Sequence, residues 1–253
     1  LILNPSGEFI MDKLIVLQHL EIEGPGLFSK IAKERGIEVE IIRLDLEEKI
    51  PNLKSGDTLL ILGGTMGVKD IGSNKFPWLE EEVKLIKSIL NKDIGIIGVC
   101  LGAQLLAYAA GGDVEVLKSG YPQEPTPEIG WSEIYLEKEY KGYDFSLILD
   151  QPTNVLHWHS DRILLPKKAQ LIASSKICKE QLFKIRKKAY GLQFHVESES
   201  SNIFKWIKSY EDFVISALGK NGPKILKDKE VIMGNETLNT RTLFINELFD
   251  LTK

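Results

Sequence analysis

Gly95-Ile-Ile-Gly-Val-Cys100-Leu-Gly-Ala-Gln104-Leu-Leu-Ala-Tyr-Ala-Ala-Gly-Gly112 is the stretch that decides the fold. Residues 94–99 form a short apolar run rich in β-branched side chains, which suits a strand buried on both faces. Residues 101–110 are good helix formers and stop at Gly111-Gly112, a helix-ending signal. Cys100 stands on the junction, with Gly98 and Gly102 two residues away on either side. A sharp strand-to-helix turn needs small neighbours, and it lifts the junction side chain off the carboxyl edge of the sheet, as at a nucleophile elbow. The positive end of the following helix favours a thiolate at such a place. Two readings stay open on this pattern alone: a nucleophile, or a small core hydrophobe, which is the commoner fate of a lone cysteine.

Upstream, residues 13–18 predict a buried strand, and Gly24-Pro25-Gly26 opens a helix that stops at Gly36. Residues 37–44 and 57–62 predict two more strands, the latter running into Gly63-Gly64-Thr65-Met66-Gly67. Phe76-Pro77-Trp78 starts a helix with Leu79, Val83, Ile86 and Leu90 at helical spacing. Strands alternating with helices of this length predict an α/β fold: a doubly wound, mainly parallel sheet with helices on both faces. In such sheets ligands bind beyond the carboxyl ends of the strands, where both Gly63-Gly64 and Cys100 fall. His19 ends the first strand at the same edge, as a cleft residue or a simple loop residue.

Downstream, residues 113–117, 131–136, 155–158 and 169–174 predict shorter strands, and residues 176–188 a loop or strand pair. Three prolines make residues 120–128 an irregular loop. Residues 189–194 are an apolar strand delivering His195 and Glu197; residues 201–218 predict one amphipathic helix. The Gly-, Pro- and Lys-rich residues 219–229 predict a linker, followed by a terminal helix over residues 239–251. One domain over residues 11–218 and a tail over residues 219–253 follow. Residues 1–10, ahead of Met11, are expected to be an upstream extension or a cloning remnant.

With 253 residues, 43% hydrophobic and 27% charged, the chain has an ordinary globular composition. A net charge of −4 argues against nucleic acid or an anionic membrane surface as the main partner. No apolar run approaches a membrane span. Cys100 and Cys178 make no disulfide framework, so a cytoplasmic location is expected, with Cys178 a bystander.

His195 and Glu197 are two apart, on the same side of an extended chain. A carboxylate there can hold the imidazole's tautomer and stabilise its cation, the third member's role in a triad. His157 and His159 also share a strand face, and Asp161 follows. No cluster of cysteines or histidines with metal-ligand spacing accompanies them, so neither metal nor cofactor is expected. His159 and Asp161 are expected to line the cleft instead.

Gly-Val-Cys100-Leu-Gly-Ala-Gln104, Gly-Leu-Gln-Phe-His195-Val-Glu197 and the Gly-Gly-Thr-Met-Gly loop together resemble the class I glutamine amidotransferase family. Trp158-His159-Ser160-Asp161 and Glu128-Ile129-Gly130-Trp131 are similar to signatures of its stand-alone members, related to the amidotransferase domain of GMP synthetase. The resemblance implies a flavodoxin-like architecture and a Cys100–His195–Glu197 triad that hydrolyses the glutamine side-chain amide through a γ-glutamyl thioester. It implies an oxyanion hole from the backbone N–H groups of Leu101 and Gly64, and glutamine held by Gln104 with backbone near Gly130, Trp131 and Ser132. One departure is that the family usually has proline between the histidine and glutamate, where this chain has Val196. Ammonia is then either released or passed to a synthase on another chain. A γ-glutamyl peptidase acting on glutathione-like compounds would use the same triad, and a non-catalytic regulatory module is a third reading.

Overall fold

The computed structural model describes residues 11–253, and the expectation for residues 1–10 lies outside them. Strands and helices alternate through the first half: β1 (Lys13–Gln18), α1 (Gly26–Glu34), β2 (Glu38–Arg43), β3 (Thr58–Ile61), α2 (Trp78–Ile89), β4 (Gly95–Val99) and α3 (Leu101–Ala109). Strands then dominate: β5 (Asp113–Val116), β6 (Lys118–Ser119), β7 (Glu124–Pro125), β8 (Glu128–Leu136), β9 (Thr153–His159), β10 (Asp161–Leu164), β11 (Ala169–Ser175), β12 (Leu182–Ile185) and β13 (Ala189–Leu192). Four helices close the chain: α4 (Ser200–Ser209), α5 (Glu211–Leu218), α6 (Gly222–Glu236) and α7 (Leu238–Thr252).

Nine strands form one sheet in the order β2-β1-β3-β4-β13-β12-β11-β8-β9. Pairing is parallel from β2 to β13 and antiparallel from β13 to β9. Alternation along the strands divides the core. Leu14 and Val16 of β1 face a cluster with Phe28 of α1 and Phe244, Leu248 and Phe249 of α7. Ile15 and Leu17 face the opposite cluster, with Val83 and Ile86 of α2 and Leu105 and Leu106 of α3. The sheet is therefore covered on both sides, as a parallel sheet without a solvated face must be. Because β1 lies between β2 and β3, the winding reverses beside β1, and a crevice opens at the carboxyl ends there. Among the described residues, no helix is long and apolar enough to cross a membrane.

The C-terminal region departs from the linker-and-tail expectation. Residues 222–229 belong to α6, with Pro223 in its first turn, where the missing N–H costs nothing. Buried Glu230 of α6 accepts hydrogen bonds from Trp131 Nε1 (2.8 Å) and Ser200 Oγ (2.7 Å). In α7, buried Arg241 donates to the Ser198 carbonyl (2.6 Å) and the Gly234 carbonyl (2.8 Å). Phe244, Ile245, Leu248 and Phe249 are fully buried, so the terminal helix is part of the main core. The single helix expected over residues 201–218 breaks at Tyr210, whose φ of −116° and ψ of 33° separate α4 from α5.

Candidate active site

Cys100 occupies the turn between β4 and α3 with φ 51° and ψ −107°, a strained conformation for a residue with a Cβ. Both flanking glycines are required by close approach. A Cβ on Gly98 would stand 2.5 Å from the Gly102 carbonyl oxygen, and one on Gly102 only 2.1 Å from the Ile61 carbonyl oxygen of β3. The elbow thus fits because the backbones of β3, β4 and α3 press together without side chains between them. Cys100 is 8% exposed, and its thiol donates to the Trp158 carbonyl at 3.7 Å.

β13 pairs with β4 and delivers the segment that follows it to the same edge. The His195 N–H donates to the Leu156 carbonyl (2.8 Å), tying this segment to β9 as well. His195 Nδ1 and Glu197 Oε1 are 2.7 Å apart and buried. Glu197 also accepts from Ser198 Oγ (3.2 Å) and the Val196 N–H (3.0 Å). That last bond is one a proline at position 196 could not make, so the valine adds a donor to the carboxylate. Burial works against both charges, yet the mutual attraction wins. His195 is held well above the ordinary histidine range by Glu197, with Cys100 adding to the shift, and Glu197 is held below the usual carboxylate range by His195. His195 Nε2 is buried without a hydrogen-bond partner, free for a reacting group.

Gly63 and Gly64 follow β3. A Cβ on Gly63 would lie 3.3 Å from His195 Cε1, 3.6 Å from Cys100 Cβ and 2.8 Å from Glu23 Oε2. One on Gly64 would meet Met66 Sδ at 2.5 Å and Leu101 Cδ2 at 3.0 Å, so the loop passes close over the elbow. Fully buried His19 fixes this loop. Its Nδ1 donates to the Gly63 carbonyl (2.9 Å), and its Nε2 lies 3.0 and 3.1 Å from the two Glu82 carboxylate oxygens. Both partners are acceptors, so the ring serves as donor on both sides, the imidazolium form. Burial opposes that charge, but Glu82 outweighs it and the pKa is raised. The Gly63 carbonyl and Gly64 N–H share one planar peptide, so anchoring the first sets the direction of the second. Glu82→Gln keeps a hydrogen bond but removes the charge, and is expected to cost about 3 kcal/mol in denaturant unfolding. Because the folded pKa of His19 is raised, the advantage over the variant should be full below pH ~6.5 and shrink as pH rises through the folded value.

A cavity of about 240 Å³ joins these parts. Cys100, His195, Gly64, Leu101, Gln104, His159 and Asp161 all line it. Gln104 Nε2 donates to Gln193 Oε1 at 3.3 Å. Gly130, Trp131 and Ser132 are not among the lining residues. Gly130 backs onto Leu226 of α6, the Trp131 indole is bound to Glu230, and Ser132 is exposed. The lining also includes Glu23, Thr65, Met66, Trp206, Tyr210 and Phe213, which the sequence reading did not assign to a site. A polar residue just past β1 at the carboxyl edge was the available signal for Glu23; nothing in the α4–α5 pattern separates cavity aromatics from core aromatics.

Glu128, His157 and His159, the last of which lines the cavity, bring their ligand-type atoms within 4.8 Å of one another, so Glu128, not Asp161, accompanies the two histidines. Glu128 Oε2 pairs with His159 Nε2 (3.1 Å) and accepts from Gln181 Nε2 (2.7 Å), and His159 Nδ1 donates to the Asp161 carbonyl (2.9 Å). Burial pushes His157 down to about 4, leaving it neutral. Cys178 is buried with its thiol pushed up to about 12, chiefly by burial, which suits an inert side chain.

Comparison with known proteins gives this site a family. The glutamine amidotransferase-like protein YfeJ of Salmonella typhimurium is 28% identical over 205 residues, covering 80% of this chain and 82% of that protein. One subunit of the glutamine-hydrolysing GMP synthase of Thermoplasma volcanium is 28% identical over 193 residues, covering 73% of this chain and 82% of that protein. The crystal structure of a glutamine amidotransferase from Thermotoga maritima superposes with a TM-score of 0.79 at 27% identity, covering 96% of this chain and 98% of that one. The family model described as glutamine amidotransferase class-I matches residues 27–206, most of the chain. This chain belongs to the class-I glutamine amidotransferase family.

Proposed function

We propose that the chain hydrolyses the side-chain amide of glutamine, or of a related γ-glutamyl compound, with Cys100 as nucleophile, His195 as acid and base, and Glu197 as the group that orients and charges His195. The observation that carries this reading is the strained Cys100 elbow facing one cavity with the 2.7 Å His195–Glu197 pair. His195, whose raised pKa favours its protonated form, takes the Cys100 thiol proton as Sγ attacks the carbonyl. In the first half-reaction the Cys100 Sγ–carbon bond forms, the carbon–nitrogen bond breaks, and the His195 proton leaves with the nitrogen. In the second, water gives a proton to His195 and its oxygen displaces Sγ, returning glutamate and the thiol. Charge on the carbonyl oxygen would be met by the N–H groups of Leu101, at the start of α3, and Gly64, whose peptide His19 anchors. Gln104, one turn beyond the nucleophile and lining the cavity, would hold the α-amino and α-carboxylate end.

An acceptor for ammonia on a separate chain is supported by the Thermoplasma relative, which is itself named as one subunit of a synthase. Ammonia release from glutamine by the purified chain, followed with glutamate dehydrogenase, tests the reading. Measurable turnover supports it, and none with either glutamine or γ-glutamyl peptides overturns it.

A further inference from the structure

Glu23, Trp158, Trp206, Tyr210 and Phe213 line the same cavity as Cys100, His195 and Gln104. On the reading above, Gln104 marks the glutamyl end, and His195 hands its proton to the departing nitrogen. The leaving group therefore sits beside His195, and the chemistry lining that side sets what can leave. Three features define it. Glu23 Oε2 lies 2.8 Å from the Cβ position of Gly63, the same point that stands 3.3 Å from His195 Cε1 and 3.6 Å from Cys100 Cβ. Tyr210 donates its hydroxyl to Glu23 Oε1 at 3.1 Å, and no lysine or arginine among the described residues pairs with this carboxylate. Aromatic rings build the remaining wall: Trp206 meets the His195 ring edge-on at 5.0 Å, and Trp158 stands 5.7, 6.5 and 6.3 Å from Trp206, Tyr210 and Phe213.

We infer that Glu23, Tyr210 and these aromatic rings form a leaving-group subsite that takes a protonated amine, so that the preferred substrates are γ-glutamyl amides whose leaving group carries a second, cationic nitrogen. The inference rests on the γ-glutamyl hydrolysis proposed above and names its substrate class. His195 and His19 are the cations nearest the half-buried Glu23 carboxylate but hydrogen-bond other groups, so a ligand ammonium adds the direct charge-assisted contact that Glu23 lacks, and the neighbouring rings can add cation–π attraction. Burial raises the Glu23 pKa against the lowering pull of His195, Tyr210 and His19, and a bound ammonium would add to that pull. Leaving groups that end in a carboxylate, as in glutathione-like peptides, would meet Glu23 with like charge. The reaction balances as a hydrolysis. The amide carbon–nitrogen bond breaks, the nitrogen takes its proton from His195, and water supplies the hydroxyl of the released glutamate, leaving a free diamine.

The test compares kcat/KM for two nearly isosteric probes, the mono-γ-glutamyl amide of 1,4-diaminobutane and γ-glutamyl-n-pentylamide. The wild-type chain should prefer the charged probe by about tenfold or more, the scale of one charge-assisted contact. Glu23→Gln should bring that ratio close to one, and Tyr210→Phe should lower it by roughly threefold, the smaller share of a neutral hydrogen bond. The ratio is read within each preparation, so a partly folded variant still reports it. Equal cleavage of both probes by the wild type, an unchanged ratio in Glu23→Gln, or turnover of glutamine with neither probe cleaved would overturn the inference alone. Failure to cleave glutamine and both probes would instead overturn the hydrolysis reading beneath it.

Discussion

Cys100→Ala is expected to abolish ammonia release, lowering turnover by about 10⁴-fold or more, because removing the nucleophile of a triad leaves only binding and oxyanion contacts. Stability should change by no more than about 1 kcal/mol, since the thiol donates only a long, 3.7 Å contact to the Trp158 carbonyl. The strained backbone persists in the variant, as alanine has the same Cβ. Activity and stability are therefore predicted to separate cleanly. A variant with wild-type turnover would remove Cys100 from the chemistry, and one that unfolds would return it to the status of a core thiol.

Gly102→Ala should do the opposite and damage both. The new Cβ would stand 2.1 Å from the Ile61 carbonyl oxygen and 2.7 Å from its carbon. These are backbone atoms at the end of a central strand, with no side chain to swing away. Relief requires α3 to shift away from β3, which we expect to cost roughly 3 kcal/mol. The same shift carries the Cys100 thiol and the Leu101 N–H with it. A displacement of about 1 Å at a reacting centre costs on the order of 10²-fold in rate. Gly67→Ala serves as the control, because its Cβ would meet only Lys69, at 3.9 Å, and it should stay within about 0.5 kcal/mol of wild type. Urea unfolding and ammonia release on the three proteins check all of this.

These contrasts mirror what the sequence made legible. The elbow was readable because its signals are local: a β-branched run, a cysteine, glycines two residues either side and a helix that stops at Gly111-Gly112. The structure supplies the reason for the glycines, which is backbone contact between β3, β4 and α3. The doubly wound half was readable from alternation of strands and helices, and the meeting of the His19, Gly63 and Cys100 segments follows from strand order. The α6 segment was misread because its buried face is not apolar in pattern. Ile225, Val231 and Ile232 are exposed, whereas Leu226, Glu230 and Gly234 are buried. What holds that face is the bonding of Glu230 to Trp131 and Ser200, a long-range match that no periodicity reveals. The Trp131 indole N–H is bound to this same helix, which the sequence presents as a linker. Tyr210 ends α4 inside a continuous amphipathic pattern, so its turn toward Glu23 could be found only in three dimensions.

The central claim is that Cys100 forms a bond to a γ-glutamyl carbonyl. Intact-mass spectrometry of the chain, quenched in acid during turnover of glutamine, tests it most directly. A γ-glutamyl adduct, about 129 Da as expected for a glutamine acyl group joined with loss of ammonia, should appear on the peptide containing Cys100 and be absent from Cys100→Ala. Turnover that proceeds with the adduct on another residue, or equally in the variant, would contradict the account.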